Sequence, residues 1–111
     1  MSFIQTSKTL HFTFHSRDKM RFYRLSEQRV KRVIHSPKRV EEGIAPKTIA
    51  MMQPASVRSE KGKVTWNQEI WVMIQDEKNK RKIISAWRYP GKTKPGQAIP
   101  EEIMRELRNL L

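Results

Sequence analysis

Residues 69–91 read EIWVMIQDEKNKRKIISAWRYPG, two apolar runs around a charged turn. Ile70, Val72 and Ile74 fall on one face of a period-2 strand, and Trp71 and Met73 fall on the other. A strand apolar on both faces sits inside a sheet, covered on both sides or paired with a partner. From Asp76 to Arg81 every residue but Asn79 is charged, so that segment has to be solvated. Lys82 to Tyr89 returns with Ile83, Ile84, Ala86 and Trp87. The pattern predicts a long antiparallel hairpin at the middle of a small sheet. Its second arm ends in Arg88-Tyr89, then Pro90-Gly91, so a stiff strand delivers a guanidinium and a phenol beside a basic loop, GKTKPG at 91–96.

Outward from the hairpin, Leu10, Phe12 and Phe14 alternate with His11 and Thr13, which predicts a first strand over Thr9–Phe14. Ser16 is placed to cap a short helix from Arg17 to Arg24, with Met20 and Tyr23 on one side. A second start signal follows. Ser26 takes the N-cap, Leu25 and Val30 form a hydrophobic staple, and Glu27 suits the first turn. Val30, Val33 and Ile34 make the buried stripe, and Pro37 ends the helix near Ser36. Lys38–Pro46 reads as a connection turning at Gly43, and Thr48–Gln53 as a second strand stopped by Pro54. Ala55–Lys63 reads as a loop or hairpin end, with a third strand running from Val64 through Asp76. A last helix begins at Pro100, the favoured first helical residue, with Glu101 and Glu102 in its first turn. Its stripe is Ile103, Leu107, Leu110 and Leu111. Residues 1–8 carry no pattern and are expected to be disordered. The order β-α-α-β-β-β-α predicts an α+β fold. Two N-terminal helices and a C-terminal helix pack on a small, mainly antiparallel sheet, with the helices mainly on one face.

At 111 residues the chain is expected to be a single domain over 1–111. It has no cysteine, which excludes disulfides and thiolate chemistry and fits a reducing compartment. It has no apolar run of the roughly 18 residues that spanning a membrane requires, and no apolar stretch near Met1 that would serve as a signal peptide, so the expectation is cytoplasmic with no membrane partner. Charge is the loudest signal: 23 Lys and Arg against 11 Asp and Glu, a net +12. It is uneven. Residues 1–40 are net +8, residues 41–76 net −1 and residues 77–111 net +5. Such a field attracts polyanions, which makes nucleic acid the first expected partner and an acidic protein the second.

No metal-ligand spacing, phosphate-cradling glycine loop or Ser-His-Asp signature is present, so no metal and no cofactor is expected. Cleaving RNA through its 2′-hydroxyl needs a proton acceptor, a proton donor and cations for the charge that builds on phosphorus. The residues suited to this are His15, Lys19, His35, Arg88, Tyr89, Lys92 and Lys94. Each also has a plainer reading. His15 serves local hydrogen bonds at a strand-to-helix junction, and His35 suits a helix C-terminus. Arg88 lines a solvent face, Tyr89 packs before Pro90, and the two lysines are solvated loop charges. Trp66, Trp71 and Trp87 lie in strands among Ile and Val and read as core before they read as base-stacking platforms.

The run His15-Ser-Arg-Asp-Lys-Met20, then Tyr23-Arg-Leu-Ser26, then Val30, Val33, Ile34 and Pro37, resembles a family of small bacterial domains. These open with His-x-x-x-(Arg/Lys)-Met, continue with Leu/Ile-Ser and Val-x-x-Val-Ile, and place a proline shortly after. They are grouped with BrnT-like proteins in the RelE/ParE toxin superfamily. The likeness covers residues 10–37 in motif and 10–90 in element order; the last helix and the 91–96 loop lie outside it. It implies a RelE-like fold and a toxin-type, RNA-binding protein, a metal-independent endoribonuclease neutralised by a separate cognate antitoxin. By that resemblance His15, Lys19, Arg88 and Tyr89 are the catalytic candidates. Arg17, Arg21, Arg29, Arg32, Lys92 and Lys94 are the candidate RNA contacts. The alternatives are a nucleic-acid-binding module without catalysis, or a toxin-like protein acting through a protein partner.

Overall fold

The computed structural model describes residues 8–43, 45–97 and 99–110. Its strands are β1 (Thr9–Phe12), β2 (Arg39–Glu42), β3 (Thr48–Pro54), β4 (Arg58–Glu60), β5 (Lys63–Thr65), β6 (Glu69–Asp76) and β7 (Lys80–Tyr89). Its helices are α1 (Phe14–Tyr23), α2 (Glu27–His35) and α3 (Glu101–Leu110). The fold is α+β. Five strands form one sheet in the spatial order β1, β7, β6, β3, β2, and β4 pairs with β5 in a separate ribbon. β1 lies parallel to β7, and the other neighbours in the large sheet are antiparallel.

The hairpin β6–β7 is central, as its doubly apolar pattern requires. Ile70, Val72 and Ile74 face α1 and α2, packing with Met20, Leu25, Val30 and Val33. Full burial of Val30 and Val33 contributes about 1.5–3 kcal/mol each. Trp71 and Met73 face α3, packing with Ile103 and Leu107. The helices therefore divide between the faces: α1 and α2 cover one, and α3 covers the other. A bulge in β7 makes this possible. Met73 opposes Ser85 while Ile74 opposes Ile83, so Ile84 is an inserted residue. Ile83 and Ala86, three apart, then share the α1–α2 face, and Ile84 and Trp87 share the α3 face. An unbroken strand would have put the members of each pair on opposite faces.

Thr13, not Ser16, caps α1. The Thr13 hydroxyl accepts from the Ser16 N–H at 3.1 Å and donates to the Ile83 carbonyl at 2.9 Å. Ser16 sits fully buried one turn inside and returns its own hydroxyl to the Thr13 carbonyl at 2.8 Å. Both threonine and serine can cap, and the choice went to the residue that also reaches β7. Beyond the end of β1, α1 lies along β7: its start is tied to Ile83, and its last carbonyl, Tyr23 O, accepts from Arg88 Nη2 at 3.0 Å. The helix thereby covers an edge that β1 is too short to pair. The Ser26 cap of α2 forms as its sequence signal requires, with the Ser26 side chain accepting from Arg29 N–H at 3.0 Å.

Three further sequence expectations are corrected. Lys38–Pro46 is not only a connection, since Arg39–Glu42 forms the edge strand β2, whose single apolar residue, Val40, left little periodicity to detect. The strand expected to start at Val64 is interrupted: Lys63–Thr65 turns back on Arg58–Glu60 through Lys61-Gly62, both at positive φ, as a two-residue hairpin turn. The turn of the central hairpin is shorter than expected, because β7 begins at Lys80. The expectations for residues 1–7, for the side chain of Leu110 and for Leu111 lie outside the described residues. Lys8 is described, and its ammonium lies 3.4 Å from Asp76. No helix among the described residues is long and apolar enough to cross a membrane.

Candidate nucleic-acid interface

The two ends of the sheet differ in how their cations are held. At the β6–β7 turn, Asp76 pairs with Lys8 and Arg81, and Glu77 pairs with Lys80 and Lys82. At the other end β3 finishes at Pro54, β6 starts at Glu69, β7 finishes at Tyr89, and β2 starts at Arg39. Around it stand Arg24, Arg29, Arg32, Lys38, Arg88, Lys92 and Lys94, and the salt bridges among the described residues, taken to 4.0 Å, include none of these seven. Arg29 is held inward, donating to Gln53 Oε1 at 2.6 Å and to the Pro54 carbonyl at 2.9 Å. Burial, then repulsion from Arg32 and Arg88, push its pKa below the usual arginine value. That repulsion marks a locally positive potential with no carboxylate to offset it. An open groove beside α2 is lined by Arg29, Lys31, Arg32 and His35.

A buried carboxylate organises the rest of this end. Glu69 has no solvent exposure. Its Oε2 accepts from Trp66 Nε1 at 2.9 Å and from the Thr93 N–H at 3.0 Å, while its Oε1 accepts from Trp71 Nε1 at 3.1 Å and the Thr93 hydroxyl at 2.6 Å. Burial alone would raise the pKa of this carboxyl. The hydrogen bonds from Thr93, Trp66 and Trp71 outweigh it and hold the carboxyl below the ordinary glutamate range. The anion thus fastens the 91–97 loop to the sheet without pairing with any cation of that loop. Arg39 clamps the loop from the other side, donating to the Thr93 carbonyl at 3.0 Å and the Lys94 carbonyl at 3.2 Å. Lys92 and Lys38 place their ammonium groups 4.3 and 5.4 Å from the centre of the Trp66 ring.

The expected catalytic residues do not converge. His15 and Lys19 lie toward α3: Lys19 Nζ is 2.7 Å from Glu106, and burial lowers the pKa of His15 against the opposing pull of Glu106. His15 Nε2 is buried and lacks a hydrogen-bond partner. Arg88 reaches the far end of α1 and the α2 side, near Arg29. His15 and Tyr23 are eight residues apart on α1, about 12 Å along its axis. Tyr89 follows Arg88 on the strand and so points to the opposite face, where it packs with the α3-side core. There it lines a cleft of about 470 Å³ with Trp71, Trp87, Thr93 and Arg108.

Of the expected RNA contacts, Arg17 is paired with Glu27 at 2.9 Å, and Arg21 with Asp18. Arg29 and Arg32 stand on the α2 side of the basic end, and Lys92 and Lys94 on its loop. The cations of α2 and of the Arg88–Lys94 segment therefore gather at one end of the sheet. Sequence reasoning missed Arg24, Lys38 and Glu69, and read Trp66 as core before reading it as a stacking platform. The only local signal was polar Glu69 at the head of an apolar strand, bracketed by Trp66 and Trp71. No family model, curated protein or solved structure matches this chain.

Proposed function

We propose that this chain is a nucleic-acid-binding domain, with RNA as the polymer its resemblance favours, and that the basic end of the sheet holds the phosphates. The observation that carries this reading is the segregation of cations. Four of those at the β6–β7 turn share the carboxylates of Asp76 and Glu77, whereas none of the seven at the opposite end makes a salt bridge among the described residues. Unpaired, partly preorganised guanidinium and ammonium groups are what phosphate contacts use. The resemblance to toxin-type domains draws support from the β-α-α start followed by antiparallel strands. Cleavage would require His15 or Tyr89 to move protons beside Arg88, and their separation favours binding without catalysis.

The test is a long RNA incubated with the purified protein and a metal chelator, with affinity followed over a salt series. Binding that weakens steeply with salt, and RNA that stays intact, is the expected result. Cleavage that disappears in Arg88→Ala and His15→Ala would restore the endoribonuclease reading. Failure to hold either RNA or DNA at low salt would overturn the proposal and assign the cations to an acidic protein, such as a cognate antitoxin.

A further inference from the structure

We infer that Trp66 is a stacking platform for one unpaired base, which makes the ligand single-stranded nucleic acid. This inference rests on the nucleic-acid-binding reading and deepens it. The structure sorts the three tryptophans. Trp71 and Trp87 are 5% and 2% exposed and stack on each other, with ring centroids 5.9 Å apart and planes 3° from parallel. They are core. Trp66 is only half-buried, and it lies outside the central strands, between β5 and β6.

Its ring is held by the edge. The indole N–H donates to Glu69 Oε2 at 2.9 Å, and Glu69 is itself fixed by Trp71 and by Thr93 through both its N–H and its hydroxyl. The buried anion fixes the plane of the ring, part of which packs against the α3-side core while the rest stays exposed. Two ammonium groups lie against the ring, Lys92 Nζ at 4.3 Å and Lys38 Nζ at 5.4 Å from its centre, on flexible four-carbon stems. Neither lysine has an acidic partner. A base that takes the ring face releases these ammonium groups to the phosphates on either side of it. Aromatic platform and backbone cations, side by side, are the two components of single-strand recognition, and they tolerate any base because every base has a π-face. A duplex keeps its bases inside and could use only the cations. RNA and single-stranded DNA present the same chemistry to this site.

The test uses an RNA hexamer, a DNA hexamer of the same sequence and the corresponding duplex, with Trp66→Phe and Trp66→Leu beside the unchanged protein. Both variants lose the indole bond to Glu69, so their difference reports the aromatic face alone. Both are checked by circular dichroism for a native fold. The expected result is that Trp66→Phe binds the single strands within about threefold of the unchanged protein and Trp66→Leu about tenfold more weakly. Duplex affinity is equal in the two. Single strands quench tryptophan fluorescence in the unchanged protein, and most of that quenching is absent from Trp66→Phe. Whether RNA or DNA binds more tightly distinguishes the two sources of the ligand. Equal single-strand affinity in the Phe and Leu variants would overturn the platform while leaving phosphate binding intact. Absence of binding by all three polymers at low salt would overturn both readings.

Discussion

At Glu69 four hydrogen-bond donors meet one carboxylate in a fully buried position. A buried anion is tolerable only where its lone pairs are filled, and here indole, hydroxyl and backbone N–H groups fill them without a counter-charge. The same bonds lower its pKa, which fixes the sign of its pH dependence. Because the folded-state value lies below the ordinary value near 4.5, the ionised group stabilises the fold at all pH values above that range. That contribution fades as the pH falls below 4.5 towards the folded-state value. Glu69→Gln keeps the shape but turns an amide N–H₂ toward two donors, leaving buried groups unsatisfied. The expected loss is roughly 2–4 kcal/mol, read as a lower urea midpoint at pH 7. The difference from the unchanged protein should narrow at pH 4 and below. A midpoint at pH 7 equal to that of the unchanged protein would show that the carboxylate does not hold the loop.

The first helix illustrates how caps set the path between elements. Thr13 starts α1 against β7, and Arg24 ends it in the left-handed region, φ 58° and ψ 51°, where its N–H donates to the Arg21 and Met20 carbonyls. The chain then reverses into α2, and Leu25 N–H closes the turn on the Met20 carbonyl at 2.7 Å. Glycine is the residue that takes this conformation without strain, yet the position carries a cation. All three described non-glycine residues at positive φ are basic: Arg24, Lys47 and Lys61. Basic charge at a position that favours glycine exchanges stability for surface potential. Arg24→Gly is expected to stabilise the protein by about 1 kcal/mol in chemical denaturation and to weaken RNA binding. A variant that is stabilised but binds RNA unchanged would place Arg24 outside the interface.

Over the whole molecule the charge has a direction. The ion pairs of Asp76 and Glu77 occupy one end of the sheet, and a cluster of seven cations without a salt bridge occupies the other. Alanine at Arg32 and Lys92 should each flatten the salt dependence of single-strand binding by about 0.7 in log–log slope, the value for one lost phosphate contact. Alanine at Lys80 and Lys82 should leave that slope unchanged. Equal effects at the two ends would mean that net charge alone, not its placement, attracts the polymer. Helices α1 and α2 lie over one face of the sheet and α3 over part of the other, and the seven cations gather at the end of the sheet where the 91–97 loop is fastened.

The central hairpin, the Ser26 cap and the helix from Pro100 were legible from local pattern, because each rests on periodicity or capping chemistry within a few residues. The edge strand β2 was not: Arg39-Val-Glu-Glu42 has one apolar residue, and it is a strand because β3 supplies the partner. The cations of the interface were legible as an excess of charge, but their distribution was not. Arg17 and Arg21 found carboxylates, while Lys38 and Lys92, 54 positions apart by number, met over Trp66. The bulge at Ile84 set which residues of β7 face which helices, and strand alternation beyond it put Arg88 on the α1–α2 side and Tyr89 on the α3 side. Composition and local periodicity settled the α+β class and the positive field, since these depend on residue type and near neighbours. Pairing across the sheet settled which cations stay free and which aromatic ring stays open, since that depends on what long-range contacts bring alongside.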